Sequence, residues 1–181
     1  GGMGTISCVD LRHLHPDLLE ETENSKDKER INEVNLIALD REIKAAHAIA
    51  QGNGLIAVNI MRAVSEYAAY VKQACESGAQ AIVVGAGLPL DLPDLTVDYP
   101  DVALIPILSD ARGVGVVLKK WLRKNRLPDA IIIENPQYAG GHLGAPNPDD
   151  IQNPHFAFAQ VIKEVQELFA KMDIAPEQIP I

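Results

Sequence analysis

Short runs of apolar, largely β-branched residues alternate along this chain with longer stretches whose apolar positions recur three and four apart. The runs lie at 4–9, 55–61, 81–85, 103–108 and 130–134. They carry no helical period, which predicts strands buried on both faces. The stretches between them predict helices over 40–51, about 63–77, 111–125 and about 155–171. The first of these stops at Gly52-Asn53-Gly54 and the second at Gly78, glycines placed where a helix ends. Ile179-Pro180-Ile181 reads as the start of a sixth strand.

Strands of this kind separated by helices pair in parallel through right-handed crossovers, which makes the fold class α/β. An open doubly wound sheet and a (β/α)8 TIM barrel both satisfy the pattern. Near-regular spacing and the lack of a glycine-rich dinucleotide fingerprint after the first strand favour the barrel. So do the polar or glycine residues at the strand C-termini: Ser7 and Asp10, Asn59, Gly85 and Gly87, Ser109 and Asp110, Glu134 and Asn135. A barrel gathers such residues around one site on its top face. The chain supplies roughly five of the eight β/α units, so residues 1–181 are expected to be the central part of a single, incomplete barrel domain. Two proline-rich stretches, 88–100 and 144–154, follow strand C-termini and are expected to form walls or lids on that face. Residues 20–33 are dense in charge without an apolar period and read as a charged surface excursion.

A net charge of −9 and a pI near 4.9 weigh against a nucleic-acid or anionic-membrane surface, which needs clustered cations. The one basic cluster, Lys119-Lys-Trp-Leu-Arg-Lys-Asn-Arg126, falls at a helix end, where cations suit the macrodipole. No window approaches ~18 consecutive apolar residues and no signal peptide is recognisable. Cys8 and Cys75 read as small core residues in a reducing compartment, so a cytoplasmic location is expected.

His13-Leu14-His15 has the alternate spacing of a metal-binding pair, but it sits directly before Pro16 and no matching third ligand follows; no metal is expected. His47 and His155 belong with helices and read as structural or surface residues. The chain has neither a Gly-x-Ser-x-Gly elbow nor a Gly-x-x-x-x-Gly-Lys-Ser/Thr loop. His142 remains. The run 130–134 leads into Gly140-Gly141, whose freedom of backbone angle delivers His142 just past a strand end. Backbone N–H groups there can face a flat or anionic ligand, and the neutral Asn59 and Ser109 at other strand ends suit an uncharged planar one.

At Ala139-Gly-Gly-His142-Leu-Gly144 the sequence resembles the nitronate monooxygenase family, formerly called 2-nitropropane dioxygenases, which includes the FMN-dependent enoyl-acyl-carrier-protein reductases. The likeness extends to Gly2-Met-Gly-Thr-Ile-Ser7, Ala57-Val-Asn-Ile60, Ala81-Ile-Val-Val-Gly-Ala-Gly87 and Ile105-Pro-Ile-Leu-Ser109; the glycine-histidine motif is its specific part. The resemblance implies an FMN-containing barrel flavoprotein that oxidises alkyl nitronates with O2. Its alternative is an FMN-dependent reductase of enoyl thioesters using NAD(P)H. Outside that class stand a truncated, non-catalytic barrel fragment and a metal-dependent barrel hydrolase using His13 and His15. The resemblance further implies that His142 is catalytic at the substrate face, that Asn59 lies beside the flavin, and that Ala139, Gly140 and Gly141 pack against the isoalloxazine edge. Ser109 and Glu134, at strand ends, complete the expected cofactor set. Ser109 stands where some family members carry lysine, which is closer to the reductase pattern. The family binds the FMN phosphate after its last two barrel strands, a region this chain is expected to lack. The implied partners are a small-molecule substrate, nitronate or enoyl thioester, and O2, with a homodimer as the one self-association entertained.

Overall fold

A computed structural model describes residues 2–139, 149 and 151–181. In chain order the elements are β1 (Met3–Ser7), α1 (Pro16–Thr22), α2 (Lys28–Ala50), β2 (Leu55–Met61), α3 (Tyr67–Glu76), β3 (Ala81–Gly85), α4 (Leu92–Leu95), β4 (Ala103–Leu108), α5 (Ala111–Leu122), β5 (Ile132–Ile133) and α6 (Phe158–Lys171). The strand order is β1-β2-β3-β4-β5, with β1/β2 and β4/β5 paired in parallel. Sheet order therefore follows chain order without the reversal that defines a doubly wound sheet. The competition between the two α/β architectures is settled in favour of an incomplete (β/α)8 barrel.

The chain divides into two compact units, Gly1–Val83 with Leu95–Val102, and Val84–Asp94 with Ala103–Ile181. In the first, α2 buries Val34, Ala38, Leu39 and Ile43 completely, β2 buries Ala57, Val58 and Ile60, and α3 buries Val71 and Ala74. Apolar side chains removed from water in this way supply the main driving force for folding. β1 aligns Met3 with Leu55 through to Ser7 with Asn59. The lower end of that pair is closed by Leu55 N–H donating to the Gly2 carbonyl at 2.9 Å.

Residues 28–33 of the charged stretch form the opening of α2, a 23-residue helix where the sequence predicts one only from residue 40. The cause is an N-cap: the Asp27 side chain accepts from the N–H groups of Glu29 and Arg30 at 3.0 and 3.2 Å. The charges that mask the apolar period lie on the outward side, where Arg30 pairs with Glu21 and Glu33. α1, with Pro16 in its first turn, covers only residues 20–22 of the remaining stretch.

The core of the second unit is built from Leu104 and Leu108 of β4, Val114, Val117, Leu118 and Trp121 of α5, and Val161, Val165 and Phe169 of α6. Gly115 of α5 faces Leu168 of α6, which a Cβ there would meet at 3.4 Å, an ordinary contact. Within 88–94 the chain is pinned onto α5, with Trp121 Nε1 donating to the Pro89 carbonyl at 3.0 Å and Lys124 Nζ to that of Leu90 at 2.8 Å. Lys124 of the basic cluster thus holds a loop, and Arg126 pairs with Asp129. β5 has two residues where five are predicted, because only Ile132 and Ile133 stay in the ladder opposite Ile107 and Leu108. On its other side, Ile131 N–H donates to the Pro180 carbonyl at 2.8 Å and Ile179 is fully buried, but residues 179–181 form no strand where the sequence predicts the start of one.

Candidate functional site

The C-terminal ends of parallel strands are where barrel folds place their chemistry. In the first unit, Ser7 and Asn59 stand opposite each other at the ends of β1 and β2, both exposed. Register partners in a sheet share a face. Below them, Cys8 N–H donates to the Asn59 carbonyl at 3.3 Å, so the backbone of Asn59 is fixed while its amide side chain is presented. Beyond β2, the Arg62 guanidinium lies 4.6 Å from the centre of the Tyr67 ring, and Asn32 Nδ2 donates to Glu66 Oε1 at 2.8 Å.

In the second unit, β3 ends in Gly85, Ala86 and Gly87, the last two in left-handed conformations at φ 56° and 127°. Gly85 is tightly packed: a Cβ would meet the Ile107 side chain at 3.2 Å, which would have to shift by a few tenths of an ångström. Ser109 and Glu134 follow β4 and β5, both half-buried, and Glu134 N–H donates to the Leu108 carbonyl at 2.9 Å. The ladder thus brings Ser109 and Glu134 to adjacent strand ends. Ala139 is half-buried. Gly140, Gly141 and His142 lie outside the described residues, as does most of the 144–154 loop.

Whether these residues suit FMN can be tested on the charges. Asp110 Oδ1 accepts from Gly113 N–H at 2.6 Å and so occupies the N-terminus of α5 with a carboxylate. A helix start is the usual seat for a phosphate, and this one is already satisfied by an anion. With Glu134 nearby on the next strand end, the strand ends of the second unit present Ser109, Asp110 and Glu134, neutral and acidic groups, with Arg112 exposed in the first turn of α5. Ser109, Asp110 and Glu134 fit the ring of a flavin better than its phosphate.

The remaining histidines have separate partners. His13 Nε2 is 2.8 Å from Asp10 Oδ2, whereas His15 Nε2 is 3.1 Å from Glu42 Oε1, so the pair does not converge on one point. His47 Nε2 donates to the Gly78 carbonyl at 2.8 Å and ties α2 to the end of α3. Among the described residues no group of three or more His, Cys, Asp or Glu is arranged to hold a metal. Nor is any helix among them long and apolar enough to cross a membrane. The Asp10–His13 contact is absent from the sequence reading; its signal is an acid three residues before a histidine in a single helical turn.

Fold and strand ends together define an α/β protein of the (β/α)8 class with part of the barrel present. Among solved structures the chain is similar to a single-site mutant of FabK from Thermotoga maritima, with a TM-score of 0.53 and 20% identity. That alignment covers 71% of this chain and 38% of the other, so the chain spans well under half the length of its structural relative. A structure of FabK itself from the same organism aligns over 55% of this chain and 30% of that one at 21% identity, with a TM-score of 0.44. At such identities the likeness is one of fold. No protein-family model and no curated protein sequence matches the chain.

Proposed function

We propose that this chain forms the central part of an FMN-dependent barrel oxidoreductase that oxidises alkyl nitronates with O2, with His142 at the substrate face. The observation that carries the reading is position. In the sequence Gly140-Gly141-His142 begins seven residues after Ile133, the last residue of β5, in a chain whose fold is similar to that of FabK. Bound FMN would supply the electron transfer. The chain's own residues would bind and orient. The Asn59 amide is a hydrogen-bonding group for a ring edge, and Ala139, Gly140 and Gly141 are small enough to let backbone approach a ring. An imidazole at 142 can accept a proton from an acidic carbon or, when protonated, stabilise negative charge on a nitronate or enolate oxygen.

A second reading, reduction of enoyl thioesters with NAD(P)H, is favoured by two observations. FabK, the structural relative, is an FMN-dependent enoyl-acyl-carrier-protein reductase. Ser109 also stands where a lysine would mark the other subgroup. The two are separated by assaying the full-length protein, supplied with FMN, on an alkyl nitronate plus O2 and on an enoyl thioester plus NADPH. FMN fluorescence quenching reports binding independently of turnover. His142→Ala is expected to cut turnover by about 100-fold while quenching is retained. Turnover that survives the substitution overturns the role of His142, and FMN bound without turnover of either substrate overturns the oxidoreductase reading.

A further inference from the structure

The outward side of α5 carries a positive stripe in a chain that is acidic as a whole. Residues 111–128 hold Arg112, Lys119, Lys120, Arg123, Lys124 and Arg126, six of the 16 Lys and Arg, and no Asp or Glu, against a net charge of −9. Two of the six serve the fold: Lys124 pairs with Asp94 and Arg126 with Asp129. The other four are exposed and make no ion pair among the described residues. Elsewhere Arg30, Arg41, Lys44 and Lys72 each face a carboxylate.

The inward side of α5 is fixed by burial of Val114, Val117, Leu118 and Trp121. Arg112, Val116, Lys119 and Arg123 recur at i, i+4, i+7 and i+11, which lines them up along one stripe of a helix. Arg123, the C-cap, keeps helical angles, so the stripe runs the whole helix, about 16 Å. Val116 in its middle is 37% exposed and Leu122 on one flank 41%, with Lys120 on the other flank. The macrodipole accounts for cations in the last turn of a helix but not for Arg112. Arg112 stands in the first turn, where positive charge opposes the dipole, shortly after Ser109 and Asp110. The stripe therefore starts at the strand-end face of the second unit and runs away from it. A nucleic acid or a lipid surface covers more than one helix and would also meet acids on the elements beside α5, Asp94 and the exposed Glu167 of α6. A single acidic helix covers the stripe alone, and an apolar Val116 among cations suits a protein surface better than phosphates.

We propose that this stripe docks a partner protein through an amphipathic acidic helix, whose carboxylates meet Arg112, Lys119 and Arg123 and whose apolar positions close over Val116. One end of the docked helix lies beside Arg112, next to Ser109 at the rim of the strand-end face. The docking needs neither flavin nor His142, so it stands or falls apart from the oxidoreductase reading.

The probe is a fluorescein-labelled helical peptide of about 18 residues, with glutamates at i, i+4, i+7 and i+11 beside a leucine seam, titrated with the full-length protein and read by fluorescence polarisation. Binding is expected to saturate at low ionic strength and to weaken as salt is added. Arg112→Glu/Arg123→Glu is expected to bind about tenfold more weakly, and Arg112→Gln/Arg123→Gln by an intermediate factor. Lys26→Glu/Lys28→Glu, the same change of net charge at exposed lysines of the first unit, should keep the wild-type affinity. Val116→Lys separates docking from plain charge attraction. It adds a cation yet removes the apolar position, so a docked helix binds more weakly whereas any polyanion binds more tightly. Tighter peptide binding by Val116→Lys, or equal losses in the two charge-reversed variants, overturns the proposal. So does a wild-type protein that leaves the peptide free, including one that instead binds heparin or phosphatidylserine vesicles through Arg112 and Arg123.

Discussion

Asp129 binds Leu104 twice: its Oδ2 accepts the Leu104 N–H at 2.7 Å, and its own N–H donates to the Leu104 carbonyl at 3.0 Å. The residue leading into β5 thereby fastens the beginning of β4. In the first unit Gln80, which leads into β3, does the same to Ile56 of β2, with Oε1 accepting at 3.0 Å and N–H donating at 2.8 Å. One device sets the register of a strand pair at its lower end in both units. A shift of one residue would turn every side chain to the opposite face, so the clamp also decides what stands at the upper end. In the second unit that is Ser109 beside Glu134.

Removing the clamp should therefore be costly. Leu104 and Ile56 are buried, so Asp129→Ala and Gln80→Ala each leave a backbone N–H without its acceptor, at about 1–3 kcal/mol. Asp129→Ala should stand at the upper end because the ion pair of Arg126 with Asp129 is lost as well. Asp129→Asn keeps an acceptor and should recover part of the loss. Urea unfolding of the three variants checks this, and equal stability of Asp129→Ala and wild type would show that the side-chain bond contributes nothing.

The strands β2, β3 and β4 coincide with the apolar runs because burial on both faces writes itself as a continuous run. Tertiary determinants were harder to read. The opening of α2 was hidden because its outward charges dilute the apolar period, although Asp27 announces the N-cap. α4, four residues long, has no period to show. β5 was overestimated because Ile131 is as apolar as its neighbours, yet it bonds the Pro180 carbonyl instead of β4. At the candidate site, Asn59, Ser109 and Glu134 were legible as polar residues closing apolar runs. The anchoring of Arg12, the partner of Asp10, to Thr22 and Asn35 depends on contacts between separate elements, which no local pattern encodes.

Gly54 is held to glycine by two independent constraints. Its φ of 85° lies where side chains are strained, and a Cβ would come within 2.3 Å of the Gly2 carbonyl oxygen. That oxygen accepts from Leu55 N–H, the bond that starts the β1/β2 ladder. Gly54→Ala should cost at least about 1–3 kcal/mol and loosen β1 first. By contrast Gly52, also at positive φ but with nothing within 4 Å of a Cβ, should pay only the conformational part in Gly52→Ala. Thermal melts of the two variants compare them; equal losses would remove the steric part of the argument.

Asp40 couples stability to pH. Its Oδ2 accepts from Lys44 at 2.7 Å and its Oδ1 from Ser77 at 2.8 Å. The Lys44 bond does most to hold the carboxyl below its usual 3.8, with burial opposing and Ser77 adding to it. A folded-state value below the unfolded one means that the unfolded chain binds more protons between the two, so stability rises with pH across that window. The contribution is complete above 3.8 and is lost as pH falls through the lower folded value. The stability margin of wild type over Asp40→Asn should therefore be constant near neutrality and shrink in acid below 3.8. Urea titrations at pH 7 and pH 3 measure it; a margin independent of pH would refute the coupling.

Cys8 and Cys75 should report two different openings of the first unit. Both are buried, and burial pushes each thiol up to about 11. At pH 8 only about one molecule in a thousand then carries the reactive thiolate at either site, so alkylation of the native protein should be slow. Exposure requires local unfolding, and the two sites differ in what must open. Cys8 follows β1, an edge of this sheet whose residues are mostly exposed, whereas Cys75 sits in the last turn of α3 against buried Val71 and Ala74. Fraying of β1 releases Cys8 with little new surface, so its labelling by iodoacetamide should be the faster and depend weakly on urea. Cys75 should label more slowly and accelerate steeply with urea, as larger openings do. Mass spectrometry of the two peptides over a urea series reads both slopes, and identical slopes would mean that β1 and α3 open together as one unit.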